Sequence, residues 1–230
     1  MIFGNTIDHL PGPIQINGIE LECLQSIKFL GIYVDRKLTW KVHINYLCKL
    51  LSRNIGVINQ VKNTFPLPVL SSLYTTLILP YLNYGILAWG NPCKTLIDRI
   101  LILQKRALRI IHNVYFRSHT NHLFLQDKIL KIKDSYSWYL GIFMFQLINN
   151  ELPLPISSIS PKNNEIHSYP TRQSNHFHTP RMRTAFAQKT IIYTGPVFWN
   201  NIDPSFKQST SLKKYTHLKK LKIKLLNTYT

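Results

Sequence analysis

The chain has 230 residues, which is long enough for one large domain or two small ones with a buried core. Hydrophobic residues make up 45% and charged residues 17% of it, a composition that excludes a disordered chain. The 28 Lys and Arg residues outnumber the 10 Asp and Glu residues, so the net charge of +18 favours nucleic acid as a polyanionic partner. The alternatives are an anionic membrane surface and a basic surface that serves only solubility.

The basic residues are unevenly distributed along the chain. No Lys or Arg precedes Lys28, and no acidic residue lies between Asp35 and Asp98. Seven Lys and no acidic residue follow Asp203. We therefore expect a polyanion to contact the middle and the last part of the chain rather than its start.

Cysteine and histidine spacing predicts neither disulfides nor a metal site. The three Cys lie 25 and 45 residues apart, which is typical of a reducing, intracellular compartment. The His pairs at 119–122 and 176–178 have no further ligands at zinc spacing. The first residues do not resemble a signal peptide. Residues 65–93 carry no charge but are rich in Pro, Ser and Thr, so they predict buried helices rather than a membrane span.

Residues 14–34 predict β structure. Apolar and polar residues alternate around Asn17-Gly18, which is the strongest short-range signal for a hairpin. Residues 27–34 supply a further strand, in which Gly31 marks a bulge or a close approach of backbone.

From Trp40 onward the hydrophobic period changes from two to about 3.6, which predicts helices. Pro66 and Pro68 are expected to end the first helix, and Pro80 to kink or break the second. Residues 190–193 read as a possible strand, followed by a turn at 195–196. The predicted helices are 40–61, 69–89, 94–113, 133–150 and 211–227, and residues 151–182 read as a loop or linker.

A series of short motifs runs along nearly the whole chain in a fixed order. They are Phe29-Leu30-Gly31, Asp35, Leu38-Thr39-Trp40, His43-Ile44, Leu73-Tyr74, Pro80 to Gly85, Trp89-Gly90, Gln104 to Ile111, His119-Thr120, Ile129-Leu130, Asp134, His167 to Arg172 and Gly195 to Asn200. In this order the series resembles the region downstream of the polymerase core in Jockey-like non-LTR retrotransposon reverse transcriptases. Each motif is weak alone, but their shared order is specific.

The resemblance implies how the chain is divided into segments. Residues 1–39 would be the end of a palm-like β segment and residues 40–150 a thumb-like helical bundle. A linker at 151–182 and a C-terminal module at 183–230, with a basic amphipathic helix, would follow. The fold class expected is therefore α+β and mainly α-helical.

The resemblance also implies that the catalytic residues of the polymerase lie outside the motifs found in this sequence. Reverse transcriptases hold two Mg²⁺ ions on paired aspartates for nucleotidyl transfer. This sequence contains no two adjacent acidic residues. We therefore expect the chain to be inactive as an RNA-directed DNA polymerase on its own and to need no cofactor, since Mg²⁺ would belong to the missing catalytic part.

Basic residues on the predicted thumb helices are the candidate contacts to nucleic-acid backbone, because phosphate contacts fix position without reading sequence. The candidates are Lys41, Lys49, Arg53, Arg99, Lys105, Arg106 and Arg109. The alternative for each is a solvated helix face. Four aromatic residues, Tyr74, Tyr81, Tyr84 and Trp89, could stack on bases, but their helical spacing favours core packing.

The sequence therefore predicts a truncated reverse transcriptase fragment that binds template RNA or RNA/DNA duplex. The missing polymerase core is a second expected partner, and neither a small-molecule substrate nor a membrane span is expected. The alternatives are a stand-alone RNA-binding protein and a non-functional remnant that needs the missing palm to fold. A remnant predicts exposed apolar surface on the opening β segment.

Overall fold

The computed structural model describes residues 15–20, 24–169, 172–202 and 214–229. Two small antiparallel hairpins precede a body made of helices. The predicted fold class, α+β and mainly α-helical with a short antiparallel β segment near the start, is confirmed.

The first hairpin pairs β1 (Gln15–Ile16) with β2 (Ile19–Glu20). Asn17 and Gly18 form its turn with φ angles of 52° and 77°. Two positive φ angles in a two-residue loop define a type I′ turn, which Asn-Gly favours. The predicted hairpin is thus confirmed.

The second hairpin pairs β3 (Ser26–Phe29) with β4 (Ile32–Asp35). Leu30 and Gly31 make its two-residue turn, with φ angles of 45° and 82°. Gly31 therefore serves the turn rather than a bulge. A Cβ at Gly31 would lie 3.5 Å from the Tyr84 ring, an ordinary van der Waals distance, so the turn lies against the side chain that follows α3.

The helical body follows directly after β4. The helices are α1 (Lys41–Val61), α2 (Leu67–Leu77), α3 (Leu79–Asn83), α4 (Ile86–Trp89), α5 (Lys94–Ile111), α6 (Asn121–Gln126), α7 (Ile132–Ile148), α8 (Leu154–Ser157), α9 (Asn163–Ile166), α10 (Ile191–Asn201) and α11 (Lys214–Asn227), with a 3-10 turn at Ala187–Lys189.

Helix α1 buries the apolar stripe that the sequence predicts. The side chains at positions 44, 47, 51, 55 and 58 are all buried, and α1 packs along α5. The helix stops at Val61, before Pro66 and Pro68. These prolines instead occupy the N-cap and the first turn of α2, where a missing N–H costs nothing.

The predicted second helix is broken twice rather than once. Helix α2 ends at Leu77 and Pro80 lies in the first turn of α3. A second break falls at Gly85, whose φ is 59° and whose missing Cβ makes room for the Ile32 side chain. No helix in the described ranges is long and apolar enough to cross a membrane.

Two expectations for residues 190–196 are wrong. Residues 191–193 begin helix α10 instead of forming a strand, and Gly195 and Pro196 lie inside that helix instead of forming a turn. A Cβ at Gly195 would approach Met144 Sδ to 2.7 Å, so glycine permits α10 to pack closely on α7. Tertiary packing thus overrides the β-branched composition here.

The end of the described chain folds back onto its middle. Tyr229 is buried, accepts a hydrogen bond at Oη from the Lys131 N–H (2.8 Å) and donates one to the Asp134 carboxylate. Burial and the hydrogen bond to Asp134 raise the pKa of the Tyr229 phenol well above its usual range. The Lys131 ammonium lies 3.8 Å from the Tyr229 ring centroid, a cation–π contact.

The described residues bury two hydrophobic clusters. The larger involves α1 to α7 together with Leu226 and Tyr229. The smaller joins α7, α10 and α11, and it includes Phe177 from the predicted linker. By residue type, Ser209 or Ser211 is predicted to cap the last helix, and both lie outside the described residues. The domain boundaries stay predictions.

Candidate nucleic-acid interface

Helix α1 presents a cationic face opposite its buried stripe. Lys41, Lys49 and Arg53 are all exposed. Because residues in a helix are about 100° apart, positions 41, 49 and 53 fall within one third of the circumference. Three of the seven predicted contacts therefore share one surface.

Helix α5 adds to this surface through a side-chain contact between the two helices. Arg99 Nη1 donates to Asn45 Oδ1 at 2.7 Å. Asn45 lies one helical turn from Lys41 and one turn from Lys49. Arg99 therefore lies beside the cationic face of α1.

The other three predicted contacts on α5 differ in their surroundings. Arg106 is exposed and lies two turns from Arg99 on the same side of the helix. Lys105 is half-buried and lies about 120° away from Arg99 around the helix axis. Arg109 is half-buried and donates from Nε to the Ser118 carbonyl oxygen at 2.9 Å, so it also supports the following loop.

Several carboxylates that could repel phosphates are engaged in contacts of their own. Asp35 accepts hydrogen bonds at the start of α1, Asp98 pairs with Lys133 at 2.7 Å and Asp127 pairs with His112 at 2.9 Å. Within the described residues, no three His, Cys, Asp or Glu side chains lie close enough to hold a metal ion.

The four aromatic candidates divide into two pairs. Tyr74 and Trp89 are fully buried in the core, as their helical spacing favours. Tyr81 and Tyr84 are exposed by 40% and 57%, although Tyr84 Oη donates to the Leu30 carbonyl oxygen at 2.6 Å. Tyr84 therefore ties the second hairpin to the helical body.

His43 is a buried histidine between the hairpin and the helices. Its Nδ1 accepts a long hydrogen bond of 3.4 Å from the Tyr33 N–H, and its ring lies edge-on to Trp89 with centroids 5.3 Å apart. Burial lowers the pKa of His43 to about 4. The imidazole is therefore neutral at physiological pH and contributes packing rather than charge.

We expect His43 to make the chain less stable as the pH falls. Its pKa is 6.5 when unfolded and about 4 when folded, so below pH 6.5 the unfolded state binds more protons. The free energy of unfolding should fall by about 1.5 kcal/mol between pH 6.5 and about pH 5. Urea unfolding at both pH values measures this change. His43→Gln should remove this part of the pH dependence. The control variant His122→Gln, changed at an exposed position, should retain it. An unchanged pH dependence in His43→Gln would contradict the assignment of this effect to His43.

The sequence reasoning missed two features near the basic surface. A groove of about 530 Å³ beside the start of α1 is lined by Lys37 and Lys41 together with Lys189, which is distant from both in sequence. Beyond the end of α5, Tyr115 and Phe116 are both highly exposed in a loop without periodicity. Two consecutive aromatic residues next to Arg117 were the only signal in the sequence.

The second hairpin exposes an apolar surface. Phe29 and Leu30 are exposed by 64% and 73%, and Ile27 by 39%. Large apolar side chains grouped in this way usually mark a contact surface. The opening β segment thus has the exposed apolar surface that is expected of a segment that needs a partner.

The fold and these surfaces define a mainly helical α+β protein with exposed basic residues on two packed helices. No protein-family model matches the chain, and no solved structure matches it. Curated relatives do match, and they are RNA-directed DNA polymerases of non-LTR transposons.

Three of these relatives come from Drosophila melanogaster. The probable RNA-directed DNA polymerase from transposon BS is 30% identical over 122 residues, which is 51% of this chain and 14% of that protein. The RNA-directed DNA polymerase from mobile element jockey is 28% identical over 135 residues, which is 57% of this chain and 15% of that protein. The probable polymerase from transposon X-element is 25% identical over 104 residues.

These matches confirm the resemblance to Jockey-like non-LTR retrotransposon reverse transcriptases over about half of the chain. The matched stretches cover only 14% and 15% of the first two relatives. The chain is therefore related to reverse transcriptases but corresponds to a small part of their length.

Proposed function

We propose that this chain is a nucleic-acid-binding part of a non-LTR retrotransposon reverse transcriptase. It holds template RNA or RNA/DNA duplex by the phosphate backbone, with α1 to α5 in the role of a thumb. The observation that carries the proposal is the contact between Arg99 and Asn45, which joins the cationic faces of α1 and α5. A rigid surface of this kind suits phosphate contacts that are independent of base sequence.

The proposed role is binding without polymerase chemistry. Nucleotidyl transfer by two metal ions needs neighbouring carboxylates, and the sequence contains no adjacent acidic pair. The Mg²⁺ ions would belong to a catalytic part outside this chain. A complete polymerase would therefore combine this surface with a separate catalytic core.

A second candidate role is docking onto that polymerase core. The exposed apolar face of Ile27, Phe29 and Leu30 favours it, because such a face is normally covered. This role is compatible with nucleic-acid binding. A stand-alone RNA-binding protein would instead remain monomeric and soluble with this face open.

The test is RNA binding by the purified chain at two salt concentrations. A variant with Lys49→Gln, Arg53→Gln and Arg106→Gln should bind about 10- to 100-fold more weakly than the wild type, with the slope of log K against log salt reduced by about 2–3. Fluorescence anisotropy with a labelled RNA and with an RNA/DNA duplex measures both quantities.

The matched control removes the same charge elsewhere. Arg172, Arg181 and Arg183 are exposed and lie outside α1 and α5, so their combined change to Gln should weaken binding much less. Equal weakening in both variants would show that only net charge matters and would contradict an interface on α1 and α5. A folded wild-type chain that binds neither ligand would contradict the proposed function itself.

A further inference from the structure

The loop that follows α5 displays two aromatic side chains to solvent. Tyr115 and Phe116 are exposed by 65% and 63%, and their ring centroids lie 4.5 Å apart. Aromatic side chains of this size usually bury most of their surface. An adjacent exposed pair is therefore a candidate contact surface, which we call the aromatic pair.

The turn beneath the aromatic pair is fixed at several points. The Ser118 N–H donates to the Tyr115 carbonyl oxygen at 2.9 Å, and the Val114 N–H donates to the Arg109 carbonyl oxygen at 3.0 Å. The Arg109 side chain donates to the Ser118 carbonyl oxygen at 2.9 Å. Val114 packs against the main core. The aromatic pair is thus held in place before any ligand arrives, which reduces the entropy cost of binding.

The surroundings of the aromatic pair are cationic. The Arg117 guanidinium carbon lies 5.1 Å from the Phe116 ring centroid, and Arg106 and Arg109 occupy the last turns of α5. The Asp127 carboxylate, just beyond α6, is already paired with His112. This arrangement attracts a ligand that is both flat and anionic.

We propose that the aromatic pair is a stacking platform for unpaired bases of a single-stranded RNA or DNA segment that continues from the basic surface of α1 and α5. Tyr115 and Phe116 stack on the bases, while Arg117 and Arg106 neutralise neighbouring phosphates. Stacking of this kind tolerates any sequence, because every base has a π face. A membrane surface fits less well, since insertion requires a broader apolar face than two side chains provide.

This inference rests on the proposed function, and the experiment separates the two. The probes are a blunt RNA/DNA duplex and the same duplex with a single-stranded extension. The wild-type chain should bind the extended duplex more tightly than the blunt one. A Tyr115→Ala, Phe116→Ala variant should lose about 10- to 100-fold in affinity for the extended duplex and keep its affinity for the blunt duplex.

Two further variants test whether stacking is the cause. Tyr115→Phe retains a ring and should keep the gain from the extension. Tyr169→Ala removes a similarly exposed tyrosine elsewhere and should change neither affinity. For the blunt duplex, the salt dependence of binding should be the same in the double alanine variant and the wild type, because neither ring contacts a phosphate there. Circular dichroism verifies that all variants are folded.

The contradicting outcomes are distinct. If the folded wild-type chain binds neither duplex, the proposed function and the platform are both wrong. If it binds both duplexes but the extension adds nothing, or the double variant retains the gain, the platform alone is wrong. A membrane contact would give a different result: vesicles of anionic phospholipid would capture the wild type but not the double variant, and the single-stranded extension would add no affinity. That outcome would reassign the aromatic pair to membrane contact and overturn the inference.

Discussion

Replacing Gln104 with Leu is expected to lower the free energy of unfolding by about 3–5 kcal/mol. Gln104 is buried in the middle of α5, and its amide connects three parts of the core. Its Oε1 accepts from the Ile132 N–H at 2.8 Å, and its Nε2 donates to the Leu130 carbonyl oxygen at 3.3 Å. Leucine fits the volume but leaves both backbone groups buried and unpaired, each at a cost of about 1–3 kcal/mol.

The Tyr74 hydroxyl adds to this cost. Gln104 Nε2 also donates to Tyr74 Oη at 3.2 Å, and Tyr74 is fully buried. Urea unfolding followed by tryptophan fluorescence measures the change. Gln60→Leu, at an exposed position of α1, is the matched control and should leave stability nearly unchanged. A loss below about 1 kcal/mol in Gln104→Leu would show that the freed groups find other partners.

Replacing Asp35 with Ala is expected to cost about 2–4 kcal/mol, because its carboxylate holds the start of α1. It accepts from the Thr39 N–H at 2.9 Å, the Thr39 hydroxyl at 2.8 Å and the Trp40 N–H at 2.7 Å. Leu38 and Trp40 have φ angles of 51° and 65°, which L residues adopt only when their surroundings fix them.

The loss of stability in Asp35→Ala should be visible at the start of α1 as well as in the whole chain. Hydrogen exchange at the Thr39 and Trp40 amides should accelerate in Asp35→Ala, and urea unfolding gives the total change. Asp98→Ala removes a carboxylate from an exposed ion pair on α5 and should have little effect. Unchanged exchange at the two amides would mean that the turn does not depend on the carboxylate.

Helices with a strict apolar period could be predicted from the sequence. Ile44, Leu51 and Ile58 follow a period of seven, and the structure buries all three on one face of α1. The Asn17-Gly18 turn was equally clear, because few dipeptides favour two positive φ angles. In both cases the local preference and the final packing agree.

Elements that depend on a distant partner could not be predicted. Residues 190–193 have the β-branched composition of a strand, yet α10 is helical where Gly195 meets Met144 on α7. No local signal in either segment shows that they meet. The second break, at Gly85, likewise depends on the side chain of Ile32 far upstream.

The candidate site was predicted in part. Exposed basic positions on α1 and α5 follow from helical spacing, but the contact that joins the two faces, between Arg99 and Asn45, depends on how the helices pack. The exposure of Tyr115 and Phe116 could not be read from the sequence, because a loop has no period that separates buried from exposed positions.

The position of Tyr229 has a consequence for folding during synthesis. Its hydroxyl satisfies the N–H of Lys131, a residue 98 positions earlier in the chain. At about 5–20 residues per second, a ribosome needs roughly 5–20 s to make the intervening segment. During that time this part of the surface of the nascent helices stays uncovered, so the contact that closes the core here forms only after Tyr229 has been made.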